Sequence, residues 1–166
     1  MQEILRIARK VSKLMKIIKI DEAYATDAKR IIRAAYLPLL EKYHDEKENP
    51  ANKTVDDVIY DLKRENSDAY LLLKDDEKIG YVRVGQRGKG EYSIADLAIR
   101  PEYQGNGYAQ FFIKEIEKMY SMAEKWSLVT IMEEKKDCYL YEKLGYEQKG
   151  ILQEVNEGMH FVLYAK

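Results

Sequence analysis

The stretch Leu97-Ala98-Ile99-Arg100-Pro101-Glu102-Tyr103-Gln104-Gly105-Asn106-Gly107-Tyr108-Ala109 runs from an apolar strand end, through a turn bearing two glycines, into a segment of helical spacing. A strand–turn–helix junction of this kind is an anion cradle. Gly105 and Gly107 let the backbone approach a ligand closely, successive N–H groups converge on one concavity, and the helix dipole favours negative charge by about 0.3–1 kcal/mol. The spacing is not that of a P-loop, because no Gly-Lys-Ser/Thr closes the turn. Nor is it a dinucleotide-binding turn, because Gly-x-Gly-x-x-Gly is absent.

Outward from this turn the hydrophobic period identifies the neighbouring elements. On the N-terminal side, residues 69–73, 79–84 and 91–99 alternate with period two around a charged turn at 74–78 and a glycine turn at 85–90, which predicts a three-stranded antiparallel meander. On the C-terminal side Ala109, Phe112, Ile113, Ile116, Tyr120 and Ala123 share one helical face, so a long helix is expected over 106–123. Residues 126–132 form a continuous apolar run, expected as a strand covered on both faces. A helix over 136–144 stops at Gly145, and strands are expected at 146–150 and 159–165.

Upstream, residues 16–20 read as a strand, and Thr26 caps a helix carrying Ile31, Ile32 and Ala35. Leu37-Pro38 is expected to bend or end that helix, with 39–43 as a second short one. Thr54-Val55-Asp56-Asp57 is a capping box with Asp in the usual Glu position, followed by Val55, Val58, Ile59 and Leu62 at helical spacing as far as about Asn66. The order predicts an α/β (α+β) fold with a mixed sheet, helices on both faces, and a βαβ crossover from 91–99 to 126–132.

The 166 residues suit one domain, 1–166, and 46% hydrophobic with 34% charged residues exclude disorder as the main state. One cysteine, Cys138, excludes an internal disulfide, and two histidines, His44 and His160, argue against a metal centre; a cytoplasmic address fits. The 28 basic and 29 acidic residues nearly cancel, so no nucleic-acid partner is expected, and no apolar run is long enough to span a bilayer. Residues 1–15 read as a basic amphipathic helix, either packed on the domain or a leader. A third use of it is contact with anionic lipid or RNA.

With Gln104, Gly107 and Ala109 in place, the chain resembles the GCN5-related N-acetyltransferase (GNAT) superfamily, whose acetyl-coenzyme A signature is Gln/Arg-x-x-Gly-x-Gly/Ala. A second block of that family is matched by Leu140-Tyr141-Glu142-Lys143-Leu144-Gly145-Tyr146, and the resemblance covers residues 79–150. It implies a GNAT-like mixed, centrally antiparallel sheet of six to seven strands, splayed between 91–99 and 126–132. It also implies direct transfer of acetyl from acetyl-coenzyme A to a primary amine, without a metal. By the same resemblance, the turn Gln104, Gly105, Asn106, Gly107, Tyr108 and Ala109 would hold the pyrophosphate. Leu97, Ala98 and Ile99 would pair with pantetheine, Leu97 N–H would serve as oxyanion donor, and Tyr141 would be the general acid.

The base is left open between Asp96, Glu91 and water or another group, Asp96 being the only carboxylate within 93–99. Position 134 is Glu where many members carry Asn, so this residue either meets a cationic substrate or caps a helix. Cys138 reads as a packed thiol. The acceptor side would be walled by helices over 27–36 and 55–65, with Tyr36, Tyr43, His44 and Tyr60 supplying aromatic surface. Asp45, Glu46, Glu48, Asp56 and Asp57 supply negative charge, which suits a small cationic amine or a peptide amine. A homodimer is compatible with the sequence, and the competing function is an acyl-coenzyme A binding or sensing module without efficient transfer.

Overall fold

Period-two alternation sends the side chains of each strand to opposite faces of a sheet, and here helices cover both faces. The computed structural model describes residues 1–2 and 15–166, so the basic helix or leader expected over 1–15 lies, from 3 to 14, outside the described residues. The chain forms β1 (Met15–Ile20), α1 (Ala25–Tyr43), α2 (Val55–Leu62), β2 (Ser67–Lys74), β3 (Glu77–Gly88) and β4 (Glu91–Ile99). It continues through α3 (Tyr108–Met119), β5 (Lys125–Ile131), α4 (Lys135–Lys143), β6 (Glu147–Asn156) and β7 (Met159–Ala165). One 7-stranded sheet has the order β1-β2-β3-β4-β5-β7-β6, with β4 and β5 parallel across the α3 crossover and the other neighbours antiparallel. This is the mixed, centrally antiparallel sheet that the sequence predicts.

Strand β2 shows how the alternation builds the two halves of the core. Tyr70 and Leu72 belong to one buried cluster with Phe112, Ile113 and Ile116 of α3, and this cluster extends as far as Cys138 and Tyr141 of α4. Ala69 and Leu71, on the opposite face, pack with Ala28, Ile31 and Ile32 of α1 and Val58 of α2. Each fully buried Leu, Ile or Phe of these layers is worth about 1.5–3 kcal/mol, so a one-residue slip of register would forfeit a whole layer.

Several boundaries depart from the sequence reading. Asp21 caps a short 3-10 turn at Glu22–Tyr24, and α1 starts at Ala25 instead of behind a Thr26 cap. Helix α1 then runs unbroken through Pro38 to its left-handed cap at His44, so the expected second helix is its last turn. Burial of Ala28, Ile31 and Ile32 anchors the helix upstream, and Pro38 removes only one internal N–H. The capping box is formed as expected between Thr54 and Asp57, although α2 ends at Leu62 and not near Asn66.

Helix α3 stops at Met119, because Tyr120 leaves the helical region (φ −107°, ψ 60°) and packs its ring 5.0 Å from Tyr92 and 5.8 Å from Trp126. Strand β5 is not covered on both faces: Val129 is 51% exposed. Strand β6 extends to Asn156 as an exposed edge whose charged and polar residues blunt pairing with other chains. No helix among the described residues is long and apolar enough to cross a membrane.

Candidate active site

Strands β4 and β5 pair only from Glu91–Lys125 to Ile94–Leu128. Beyond that point β4 stays with β3 and β5 stays with β7, so the two strands diverge. The gap opens a cavity of about 700 Å³ lined by β4, β5, the Gln104–Ala109 turn, α1 and α4. Val129, exposed on β5, lies on this cavity wall, which explains why an apolar run here is not fully covered.

At one end of the cavity the turn is held open from within. Gln104 Nε2 donates to Ile99 O at 2.8 Å, and Asn106 Nδ2 donates to Gln104 O at 3.1 Å and to Tyr103 O at 3.3 Å. These side chains brace the loop, so its outward face is backbone. Gly105 and Gly107 have φ of 76° and 82°, Gly107 is the N-cap of α3, and no heavy atom lies within 4 Å of where a Cβ would sit at either position. Among the described residues no acceptor meets the N–H groups of Gly105, Asn106, Gly107, Tyr108 or Ala109. A concave set of unpartnered donors at a helix N-terminus fits a pyrophosphate.

Next along the wall, β4 bulges. Tyr81 pairs with Ala98 and Arg83 with Ala95, leaving Asp96 and Leu97 without a register partner on β3, and β5 has already left. Asp96 takes a left-handed backbone (φ 52°), which is costly for a residue with a Cβ and needs an anchor. The anchor is electrostatic. Asp96 Oδ2 accepts from Lys53 Nζ at 2.8 Å and Arg83 Nη2 at 3.2 Å, and Lys53 also bridges to Asp61 at 2.8 Å. Tyr36 of α1 donates to Leu97 O at 2.8 Å and fixes the other bulge residue.

The expected base, Asp96, lines the cavity but is already engaged by two cations. Burial pushes the Asp96 carboxyl up, but Lys53 and Arg83 outweigh burial and hold it below the usual aspartate value, so it is a poor proton acceptor at neutral pH. Its work is to hold the bulge. Asp96→Asn should leave buried Arg83 without its carboxylate and Lys53 with Asp61 alone, and so destabilise the fold by about 3 kcal/mol at pH 7, read by urea denaturation. Because the folded carboxyl titrates below its unfolded counterpart, wild type should lose this contribution as pH falls from about 4 through the depressed folded value, while the variant should not. Glu91, the alternative base, pairs with Lys125 at 3.3 Å at the closed end of the seam and does not line the cavity.

Tyr141 of α4 is 8% exposed and lines the cavity, and its hydroxyl has no hydrogen-bond partner among the described residues. Burial, reinforced by Asp137 and then Cys138, pushes the phenol well above its usual range and keeps it protonated. Glu134 is not a free solvated cap: it accepts from Lys42 Nζ at 2.7 Å and Tyr43 Oη at 2.6 Å, tying the end of α1 to the start of α4. Cys138 is buried against Ile131 O and Met132 O, as a packed thiol should be. The sequence reading missed Lys53, Arg83 and the Tyr36–Leu97 link, whose partners are far apart in the chain. It also passed over Asp137, although its spacing of four from Tyr141 was visible.

The family described as Acetyltransferase (GNAT) domain matches residues 65–148. A search of curated protein sequences finds no match. Among solved structures, the chain resembles the PaiA N-acetyltransferase of Thermoplasma acidophilum in complex with coenzyme A, with a TM-score of 0.75 at 14% identity over 92% of this chain and 98% of that one. It resembles the spermidine N-acetyltransferase of Vibrio cholerae in complex with coenzyme A and spermine (TM-score 0.71, 14% identity, 93% and 95% covered). It also resembles the Salmonella typhimurium acetyl transferase that modifies the N-terminal serine of ribosomal protein L7/L12 (TM-score 0.73, 14% identity, 94% and 96% covered). At these identities the structural likeness carries the fold alone.

Proposed function

Because this chain belongs to the acetyltransferase (GNAT) domain family, we propose that it transfers acetyl from acetyl-coenzyme A directly to a primary amine, of a small molecule or a peptide, in a ternary complex. The observation that carries this reading is one continuous cavity joining a cradle of unpartnered N–H groups to a buried, protonated phenol. When bound, acetyl-coenzyme A supplies the activated thioester. The N–H groups of residues 105–109 hold its pyrophosphate, and the backbone of Leu97, Ala98 and Ile99, free of β5, takes the place of a strand partner for pantetheine. Leu97 N–H polarises the acetyl carbonyl, and Tyr141 gives its proton to the departing sulfur.

Support for an amine acceptor comes from the similar folds, which include a spermidine acetyltransferase and a protein that modifies an N-terminal serine. Glu48 and Asp137, carboxylates of the cavity lining, also suit a cationic group. The test is a panel of primary amines offered with acetyl-coenzyme A and read by free thiol release, alongside calorimetric titration of the donor. Binding with release on an amine supports the transferase. Binding without release on any amine favours the acyl-coenzyme A binding module, and absence of binding removes both.

A further inference from the structure

Helix α4 carries a second ionisable group one turn before Tyr141. Asp137 is four residues earlier, so the carboxylate and the phenol share a helix face, and both residues line the cavity. The other buried or half-buried carboxylates of that cavity already have partners. Asp45 accepts from Asn49 Nδ2 at 3.0 Å, Asp96 holds Lys53 and Arg83, and Glu134 holds Lys42 and Tyr43. Half-buried Asp137 has neither a cation nor a hydrogen-bond donor on its carboxylate among the described residues. A carboxylate in that position is costly unless something charged comes to meet it.

We propose that Asp137 is the base of the reaction: its carboxylate receives the ammonium of the incoming amine and takes its proton. The assignment rests on the transferase reading above. In the step, one N–C bond forms and the C–S bond breaks, with no change in oxidation state. Two protons leave the nitrogen. The first passes to Asp137 and on to water. The second, lost as the N–C bond forms, restores the proton that Tyr141 gives to sulfur, so the products are amide, thiol and one released proton.

The electrostatics agree with the geometry. Burial, with Glu134 adding to it, pushes the Asp137 carboxyl above the usual aspartate value, opposite to Asp96 and toward the pH at which a base is both ionised and effective. The titratable groups that bear on it are Glu134 just before its helix, Tyr141 of its own helix and Tyr36 of α1. A carboxyl raised on folding opposes stability as pH rises from its unfolded value through its folded one, so removing the charge should not weaken the fold at pH 7. That sign separates a reacting group from a structural one.

The experiment compares wild type with Asp137→Asn and Asp137→Glu, using acetyl-coenzyme A with spermidine and with a short Ser-initiated peptide. Asp137→Asn should lower kcat/KM about a hundredfold and erase the acid limb of its pH profile. Donor affinity by calorimetry should stay within about twofold, and the unfolding midpoint should not fall. Asp137→Glu should recover part of the rate with a displaced limb. Wild-type kcat/KM and an unchanged limb in Asp137→Asn would overturn the assignment, as would a loss that tracks a lowered unfolding midpoint and that Glu does not rescue. If wild type binds the donor yet releases thiol with none of the primary amines of the panel above, the transferase reading and this assignment fall together.

Discussion

Tyr141→Phe should lower kcat by about 10²–10⁴ while leaving acetyl-coenzyme A affinity nearly unchanged, because it removes one proton donor and keeps the ring in place. The ring matters to the fold: Tyr141 stands 6.2 Å edge-on from Tyr146 and 6.2 Å from Tyr164 within the core. Tyr146→Phe is therefore the informative control. It removes a hydroxyl that donates to Glu117 at 2.7 Å, so it should cost about 1 kcal/mol of stability without touching kcat. Donors with more acidic thiol leaving groups need less protonation and should restore part of the rate in Tyr141→Phe. Wild-type turnover in that variant, with chemistry rate-limiting, would return Tyr141 to a packing role.

Gly107→Asp should weaken acetyl-coenzyme A binding by about a hundredfold or more, close to 3 kcal/mol. Two effects act together. The side chain enters the open space where the ligand must approach, and its charge opposes the helix dipole's preference for an incoming anion; the φ of 82° adds strain on top. Gly107→Ala carries the strain and the bulk without the charge, so it should fall between wild type and Asp. Gly88→Asp, at the last residue of β3 and away from the cavity, should leave affinity as it is. Calorimetry showing equal affinities for all four proteins would remove the turn from the binding site.

Which parts of this molecule could be read from the chain follows from how local the cause is. The meander, the Thr54–Asp57 box and the turn at 104–109 are each set by residues within one short stretch, and each is found where the pattern puts it. Pro38 shows the limit of a local rule, since its penalty is real but the burial of Ile31 and Ile32 outweighs it. Asp96 shows a deeper limit. Its identity as a carboxylate in a strand suggested a base, but its backbone is left-handed and its charge is committed to Lys53, 43 positions away, and to Arg83. Nothing in the strand's own residues announces those partners. Asp137 was hidden differently: it ends the run Glu133-Glu134-Lys135-Lys136-Asp137, which reads as solvated surface until α4 turns that last residue inward beside Tyr141.

The four register pairs that join β4 to β5 make the sheet two rafts lashed along a short edge, β1 to β4 on one side and β5, β7 and β6 on the other. Outside that lashing, the end of α1 reaches across through Lys42 and Tyr43 to Glu134, and Asn156 Nδ2 reaches Tyr43 O at 3.0 Å. The two rafts also share one buried cluster, in which Tyr92 lies 5.6 Å from Trp126, so it is the open end of the seam, beyond Ile94 and Leu128, that backbone pairing leaves unfastened. A ligand lying in the gap fastens both rafts, and at a hundred times its dissociation constant it adds about 2.7 kcal/mol against opening. On the function proposed above, the acyl donor would then protect the chain from proteases as well as react on it, because a chain that opens less often is cut less often.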